Sequence, residues 1–125
     1  SLVGSEMCIR YSLCIAYQDI LKKHKLYATS TTGQMIEDVA NLKIHKLLAG
    51  HFGGMQQMGS KISNNEIDLL IFLQDPANKK RTPDFYNVLN LCDQYNIPCA
   101  TNLPTAEVLI LALDRGDLDW RNMYK

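Results

Sequence analysis

The stretch Leu26–Asp38, LYATSTTGQMIED, decides the fold of this chain. It begins with an apolar segment, passes through four consecutive hydroxyl side chains and Gly33, and continues with apolar residues at helical spacing. This pattern predicts a strand over Leu26–Ala28 and a helix over Gly33–Leu42. A strand that leads directly into a helix is the building unit of α/β proteins.

The rest of the chain repeats this alternation of short apolar runs and helix-period segments. The predicted strands lie near Ile44–Ala49, over Ile67–Leu73 and over residues 97–101, and the predicted helices span Tyr11–Lys23, Met55–Ile62, Pro83–Tyr95 and a last segment from near Pro104 to Gly116. The run Ile67–Leu73 is almost wholly apolar, as a strand covered on both faces is. We therefore predict an α/β fold in which helices cover both faces of a parallel sheet.

Composition narrows the classes of function. The 125 residues carry 13 basic and 13 acidic side chains, so the formal net charge is zero. The chain therefore has no excess positive charge that would attract nucleic acid or an anionic membrane. The chain has no apolar run of the roughly 20 residues that a membrane span needs, and no signal peptide pattern. We expect one soluble, cytoplasmic domain over residues 1–125.

The four cysteines, Cys8, Cys14, Cys92 and Cys99, lie in apolar segments and include no C-x-x-C pair. That spacing argues against a structural zinc site and against a disulfide framework. We predict buried free thiols, with no metal site.

Four hydroxyl residues fall where the first strand meets its helix: Thr29, Ser30, Thr31 and Thr32. The N-terminus of a helix presents backbone N–H groups and the positive end of the helix dipole, so hydroxyl donors placed there suit a phosphate. The alternative is that one of these side chains caps the helix, because Ser and Thr are common capping residues.

A second turn, GHFGG over Gly50–Gly54, precedes another predicted helix. Two helix starts at the carboxyl edge of one sheet would face a shared crevice, which makes Gly33, Gly50, Gly53 and Gly54 candidate phosphate-binding positions. The alternative is a pair of ordinary tight turns that require the conformational freedom of glycine.

Three blocks of sequence resemble motifs of methylglyoxal synthase: HKLYATSTTG, AGHFGGMQQMGSKISNNEIDLLIFLQDPAN and YNIPCATNLPTAE. The resemblance covers Tyr17–Glu107 and keeps the order of the family. It implies a three-layer, Rossmann-like or flavodoxin-like parallel sheet, a homo-oligomer that is usually a hexamer, and conversion of dihydroxyacetone phosphate to methylglyoxal and inorganic phosphate. No cofactor and no metal are implied.

The family's first turn reads A-T-G-T-T-G, and this chain reads A-T-S-T-T-G over residues 28–33. The only difference is that Ser30 replaces a glycine. The second turn in the family reads S-G-P-L-G-G-D-Q-Q. Its retained positions are Gly50, Gly53, Gly54, Gln56 and Gln57. Ala49 replaces a serine that would contact phosphate, and Met55 stands where the resemblance places the catalytic aspartate. A thioether cannot accept a proton at neutral pH.

The family motif D-P-L-x-x-x-P-H-x-x-D is matched by Asp75, Pro76 and, after a one-residue shortening, Asp84. Its histidine has no counterpart, and no lysine or arginine precedes Arg10 where the family has a phosphate-binding lysine. His51 places an imidazole in the glycine turn, at the position where the family has a proline. Asp75, Asp84 and His51 are therefore the candidate catalytic bases, although a histidine in a loop is more commonly a surface residue.

These substitutions predict a homologue of methylglyoxal synthase that binds a phosphate ester, such as dihydroxyacetone phosphate, with lyase catalysis impaired or lost. The alternative is a regulatory module that binds an effector without transforming it, as the allosteric domain of carbamoyl phosphate synthetase does. In both cases the expected partner is a phosphorylated small molecule, and the expected assembly is a homo-oligomer.

Overall fold

A computed structural model describes residues 2–4, 7–49, 53–73 and 83–124. The strands are β1 Leu2–Gly4, β2 Leu26–Thr29, β3 Ile44–Leu47, β4 Leu70–Leu73 and β5 Cys99–Ala100. The helices are α1 Met7–Ala16, α2 Gln18–Leu21, α3 Ser30–Val39, α4 Gly54–Ser63, α5 Pro83–Gln94 and α6 Leu103–Asp114, followed by a 3₁₀ helix over Asp119–Tyr124. The predicted alternation of strands and helices is confirmed.

Among the described residues, all the strand pairs are parallel. β1 pairs with β4 through Leu2 and Ile71, β4 pairs with β5 through Leu70 and Cys99, and β2 pairs with β3. β1 also lies against β2, although the described residues form no hydrogen-bonded ladder between them. The strands therefore follow the spatial order 3-2-1-4-5 of Rossmann-like sheets, which confirms the predicted fold class.

Alternating side chains of the strands enter two separate hydrophobic cores. On β2, Leu26 and Ala28 join one core with α1, α2, α3 and α6, whereas Tyr27 joins the other core with α4 and α5. On β4, Ile71 likewise packs in the first of these cores and Phe72 in the second, on the opposite face of the sheet. Because successive side chains of a strand point to opposite faces, both faces of this sheet are apolar and both carry helices.

No loop separates β2 from α3, although the sequence predicted a turn between the strand and the helix. β2 ends at Thr29 and α3 begins at the next residue, Ser30, three positions before the predicted start. The helix also ends three positions early, because Ala40 returns to an extended conformation (φ −134°, ψ 153°). Three of the four hydroxyl side chains thus belong to the first turn of α3.

The predicted helix Tyr11–Lys23 is two helices. Its break is at Tyr17, whose backbone (φ −112°, ψ 21°) lies outside the helical region. Leu13 and Leu21 remain on the buried side across the break, so the apolar spacing suggested one continuous helix. Tertiary packing overrides the local pattern at this point.

Local signals mark both ends of α6. The Oδ1 atom of Asn102 accepts a hydrogen bond from the backbone N–H of Thr105 at 3.0 Å, and Pro104 lies in the first turn. Beyond the last turn, Gly116 adopts φ +84°, the left-handed conformation that follows many helices. The predicted start near Pro104 and the role of Gly116 are both confirmed.

Arg121 fixes the C-terminal 3₁₀ helix to the amino edge of the sheet. Its guanidinium is buried and contacts the carboxylate of Asp68 at 3.3 Å, the side chain of Asn65 at 3.2 Å and the carbonyl oxygen of Asn96. Both asparagines have positive φ, and both lie in the turns that lead toward β4 and β5. One side chain therefore links three segments distant in sequence.

In the described residues, no helix combines the length and apolar character needed to cross a membrane. Over the same residues, no group of three histidine, cysteine or acidic side chains is close enough together to hold a metal ion. Cys14, Cys92 and Cys99 carry free thiols. Cys14 and Cys92 are buried as predicted, whereas Cys99 is only partly buried.

Candidate functional site

The carboxyl ends of β2 and β3 lie side by side. Their parallel register sets Thr29 opposite Leu47, so the segments that follow the two strands leave the sheet at the same edge. α3 begins at Ser30, and α4 begins at Gly54 after a short turn. The two helices lie on opposite faces of the sheet, but their first turns start from neighbouring strands.

Thr29 occupies the position before the first turn of α3. Its backbone is extended (φ −61°, ψ 155°), it is buried, and its side chain makes no capping hydrogen bond. The capping explanation is therefore wrong for the residue that stands at the capping position. The first-turn N–H groups of a helix lack intrahelical partners, and Ser30, Thr31 and Thr32 belong to that turn.

Gly33 packs closely against β3. A Cβ atom at this position would lie 3.0 Å from Cγ2 of Ile44 and 3.0 Å from Cγ of Lys46, so these side chains would have to shift by a few tenths of an ångström to admit a larger residue. The structure thus assigns Gly33 a role in bringing the start of α3 close to the neighbouring strand.

Glu37 fixes the next turn of α3 to the same strand. Its carboxylate accepts hydrogen bonds from Nζ of Lys46 at 2.5 Å and from the backbone N–H of Ile44 at 2.8 Å. The bond from Lys46, and then the bond from Ile44, hold the pKa of Glu37 below its ordinary value. Lys46 already has a carboxylate partner, so it does not supply an unpaired cation near the start of α3.

The second turn depends on glycine for steric reasons. Gly53 has φ +102°, and a Cβ atom on Gly54 would lie 2.0 Å from the carbonyl oxygen of Leu48. The N–H of Gly54 donates to the carbonyl of Ala49 at 3.0 Å, which closes the turn. The tight-turn interpretation therefore applies to both glycines, whereas the predicted roles of Gly50 and His51 fall outside the described residues.

Gln57 supports the end of β3 from α4. Its Oε1 atom accepts a hydrogen bond from the backbone N–H of Leu48 at 2.6 Å. This bond satisfies a donor that the sheet leaves unpaired as β3 ends, and it holds the glycine turn against the first turn of α4. The sequence marked Gln57 only as a position kept from the family, and its supporting role required the structure.

Met55 lies in the first turn of α4 and is partly buried against the core shared by α4 and α5. It lines a cleft of about 440 Å³ between these helices, and Asp84, in the first turn of α5, lines the same cleft. The structure thus brings one predicted base, Asp84, to the cleft that contains Met55. The other predicted carboxylate, Asp75, lies outside the described residues.

The cleft also contains polar residues that were not predicted as site residues. Gln56 and Ser60 contribute from α4, and Asn87 contributes from α5. Gln56 and Ser60 are four residues apart on α4, and Asn87 follows Asp84 by three residues on α5. Residues at these spacings share one helix face, so the spacing is the sequence signal that could have identified them.

The fold and this edge define a class: a Rossmann-like α/β domain in which two adjacent parallel strands are each followed by a helix. The sequence profile of the MGS-like domain family matches residues 12–101, and the chain belongs to this family. It is 51% identical over 119 residues to the methylglyoxal synthase of Caldicellulosiruptor saccharolyticus, covering 94% of this chain and 83% of the relative. The resemblance inferred from sequence is confirmed.

Two further comparisons agree. The methylglyoxal synthase of Thermoanaerobacterium thermosaccharolyticum is 50% identical over 128 residues, covering all of this chain and 96% of the relative. The crystal structure of methylglyoxal synthase from Elizabethkingia anophelis superposes with a TM-score of 0.76 at 31% identity, covering 87% of this chain and 74% of the other. The chain is therefore a homologue of methylglyoxal synthases in both sequence and fold.

Proposed function

We propose that this protein binds a phosphate ester such as dihydroxyacetone phosphate between the Thr29–Gly33 turn and the turn over residues 50–54. The observation that carries the proposal is the pairing of β2 with β3, which sets Thr29 opposite Leu47 and brings both helix starts to one edge. The relatives named methylglyoxal synthase support the same ligand class.

The phosphate would be held by backbone N–H groups and hydroxyls. The first turn of α3 lies at a helix N-terminus, which suits it to such bonds, and the side chain of Thr29 makes no capping hydrogen bond. Lys46 is paired with Glu37 at 2.5 Å and contributes little free charge. Affinity then depends on a few charge-assisted bonds, each contributing about 1.5–3 kcal/mol.

We further propose that the lyase reaction is strongly slowed. The reaction of the family requires a base that removes a carbon-bound proton and donors that stabilise the resulting enediolate. Met55 supplies no base, and it packs against an apolar core. Asp84 lines the same cleft, so it is our candidate for the base that performs the residual reaction.

The second candidate function is effector binding without turnover. The apolar side chain of Met55 in the first turn of α4 favours it, because a site that only binds phosphate needs no base there. In this case the helix starts would hold the effector through the same donors.

We also propose that the protein is a homo-oligomer, a hexamer in line with the family resemblance. Apolar side chains on the outer sides of α1 and α6 support self-association: Ile15 is 49% exposed, Val108 63% and Leu111 42%. A helix that is apolar on nearly every side is usually covered by another surface. Light scattering of the purified chain at two protein concentrations tests this assembly, and a monomer at both concentrations contradicts it.

The decisive experiment incubates the protein with dihydroxyacetone phosphate and measures methylglyoxal and inorganic phosphate separately. Formation of both products in equal amounts supports the lyase, whereas binding of the ester with no product supports the effector module. Binding is measured by calorimetry on the same sample. The absence of any binding to dihydroxyacetone phosphate and to inorganic phosphate would overturn both candidates.

A matched pair of variants tests the location of the site. Thr31→Val removes an exposed hydroxyl from the first turn of α3 while keeping the side-chain shape. Loss of one charge-assisted bond weakens phosphate binding about tenfold to 100-fold. Ser12→Ala removes an exposed hydroxyl from α1 and serves as the control. Equal affinity of the two variants would show that the phosphate binds elsewhere.

A further inference from the structure

A cavity of about 450 Å³ lies at the amino ends of β2 and β3. The buried side chains of Leu26 and Leu42 provide the apolar part of its lining. Leu26 begins β2 and lies opposite Ile44, which begins β3, whereas Thr29 and Leu47 end the two strands. The cavity is therefore separated from the proposed phosphate site by the length of the strands, which is roughly 10 Å for four residues.

The exposed part of the lining is basic. Lys22 and His24 belong to the turn between α2 and β2, Lys43 precedes β3, and His45 lies within it. Asn41 adds a side-chain amide. Ammonium, imidazole and amide groups all donate hydrogen bonds, and within the described part of the chain no aspartate or glutamate lines this cavity.

Neighbouring negative charges do not cancel these cations. Nζ of Lys22 lies 3.3 Å from Asp19, but both side chains are largely exposed, and an ion pair in water is weak enough to be exchanged for another anion. Glu37 already accepts a hydrogen bond from Lys46, and Lys43 forms no ion pair with another described residue.

The dipole of α3 also opposes an anion here, because its carboxyl end, Val39, leads toward the cavity. A helix dipole contributes about half a negative charge at that end. The two ammonium groups of Lys22 and Lys43 carry a full positive charge each, so the cavity stays positive.

We propose that this cavity binds a small multivalent anion, at a site distinct from the one that holds the phosphate ester. Lys22 and Lys43 come from different turns, so each ammonium group can meet a different charged group of one ligand. His24 and His45 add neutral or charged donors, and the leucine side chains can contact a carbon skeleton. Phosphate groups and carboxylate groups both satisfy these donors.

The histidine ring signals in an NMR spectrum provide the test, because the chain has three histidines: His24, His45 and His51. Two line the cavity, whereas His51 belongs to the turn of the proposed phosphate site. The folded protein is titrated with pyrophosphate, and His24→Gln and His45→Gln assign the signals by removing one each. Both His24 and His45 are expected to shift and saturate. If either signal stays unchanged, or if sodium chloride at equal ionic strength shifts both to the same extent, the proposal is wrong.

This readout separates the two sites. A shift of His51 alone would support the proposed phosphate site and overturn the second site, whereas shifts of His24 and His45 alone would do the reverse. A parallel titration with citrate identifies the ligand chemistry. Saturation by pyrophosphate only assigns phosphate groups, saturation by citrate only assigns carboxylate groups, and saturation by both assigns the shared charge; each of these outcomes supports an anion site.

A matched pair of lysine variants distinguishes a site from general attraction. Lys43→Gln removes one ammonium group from the cavity and is expected to weaken pyrophosphate binding about fivefold, as measured by the His45 signal. Lys23→Gln removes the same charge from a neighbouring exposed residue, which pairs with Asp114 and does not line the cavity. Its affinity is expected to match that of the unmodified chain. Equal losses in the two variants would show that the anion responds to overall charge, and would overturn the site.

Discussion

Met55→Asp is the substitution that most directly tests the proposed loss of catalysis. Met55 is the second residue of α4, directly after a residue whose N–H closes the glycine turn. A carboxylate here would lie in the first turn of a helix, where the dipole stabilises a negative charge by about 0.3–1 kcal/mol. Partial burial opposes ionisation and keeps the carboxylate basic enough to accept a proton.

The expected magnitude follows from the role of a general base, which contributes about 10²–10⁴-fold to the rate. We expect the unmodified chain to convert dihydroxyacetone phosphate at least ~10³-fold more slowly than a methylglyoxal synthase with an intact base, within that range. Met55→Asp should raise kcat about 10²-fold, the lower end of the same range, because other donors of the family are still missing. KM should change little, since the phosphate contacts are untouched.

The assay follows methylglyoxal and phosphate release over a range of dihydroxyacetone phosphate concentrations. Ser12→Asp places the same charge on an exposed residue of α1, outside the cleft, and is the matched control. Met55→Leu controls for loss of the thioether. Equal gains in Met55→Asp and Ser12→Asp would refute the argument, as would ordinary family activity in the unmodified chain. The second outcome would direct attention to Asp84 as the base.

Three further predictions concern the scaffold. Arg121→Met should lower the free energy of unfolding by about 1–3 kcal/mol, because it removes the buried guanidinium that donates to the carbonyl oxygens of Asn96 and Ile67, whereas Arg115→Met at an exposed ion pair should cost at most about 1 kcal/mol; similar urea midpoints for the two variants would contradict this. Gly54→Ala should greatly reduce the yield of folded protein, because its Cβ would lie 2.0 Å from a backbone oxygen, and a normal thermal midpoint would show that the turn can move. The folded-state pKa of Glu37 is lowered, so its contribution to stability is present above its ordinary value of 4.5 and is lost as the pH falls through the folded value. Glu37→Gln should therefore be less stable than the unmodified chain at pH 7, with the gap closing below about pH 4.5 in urea titrations, and a gap that is the same at both pH values would contradict the assignment.

Local sequence patterns were sufficient for the identity and order of most helices and strands. The apolar run before Leu73, the change from strand to helix after Ala28, and the Pro104 and Gly116 signals of α6 all predicted elements that the structure contains. These signals depend on residues within one or two turns of each other, so they can be read without knowing the fold. Element ends were less certain, as the early start of α3 and the break at Tyr17 demonstrate.

Tertiary structure decided what brings the candidate site together. Gly54 was predicted as a phosphate-binding position, with a tight turn as the alternative, and only the structure shows that the nearby carbonyl of Leu48 leaves no room for a side chain there. Asp84 and Met55 lie 29 positions apart in sequence, and only the packing of α4 on α5 makes them line one cleft.

The sequence by itself determined the parallel α/β class, the hydroxyl and glycine helix starts, and the replacement of a family base by Met55. Each of these is a property of residue type and local spacing, which every conformation of the chain shares. Only the tertiary structure decided that β2 and β3 are neighbours, with Thr29 opposite Leu47. Pairing between strands depends on which apolar faces pack together across the whole sheet, and that choice is made by contacts between residues far apart in the chain.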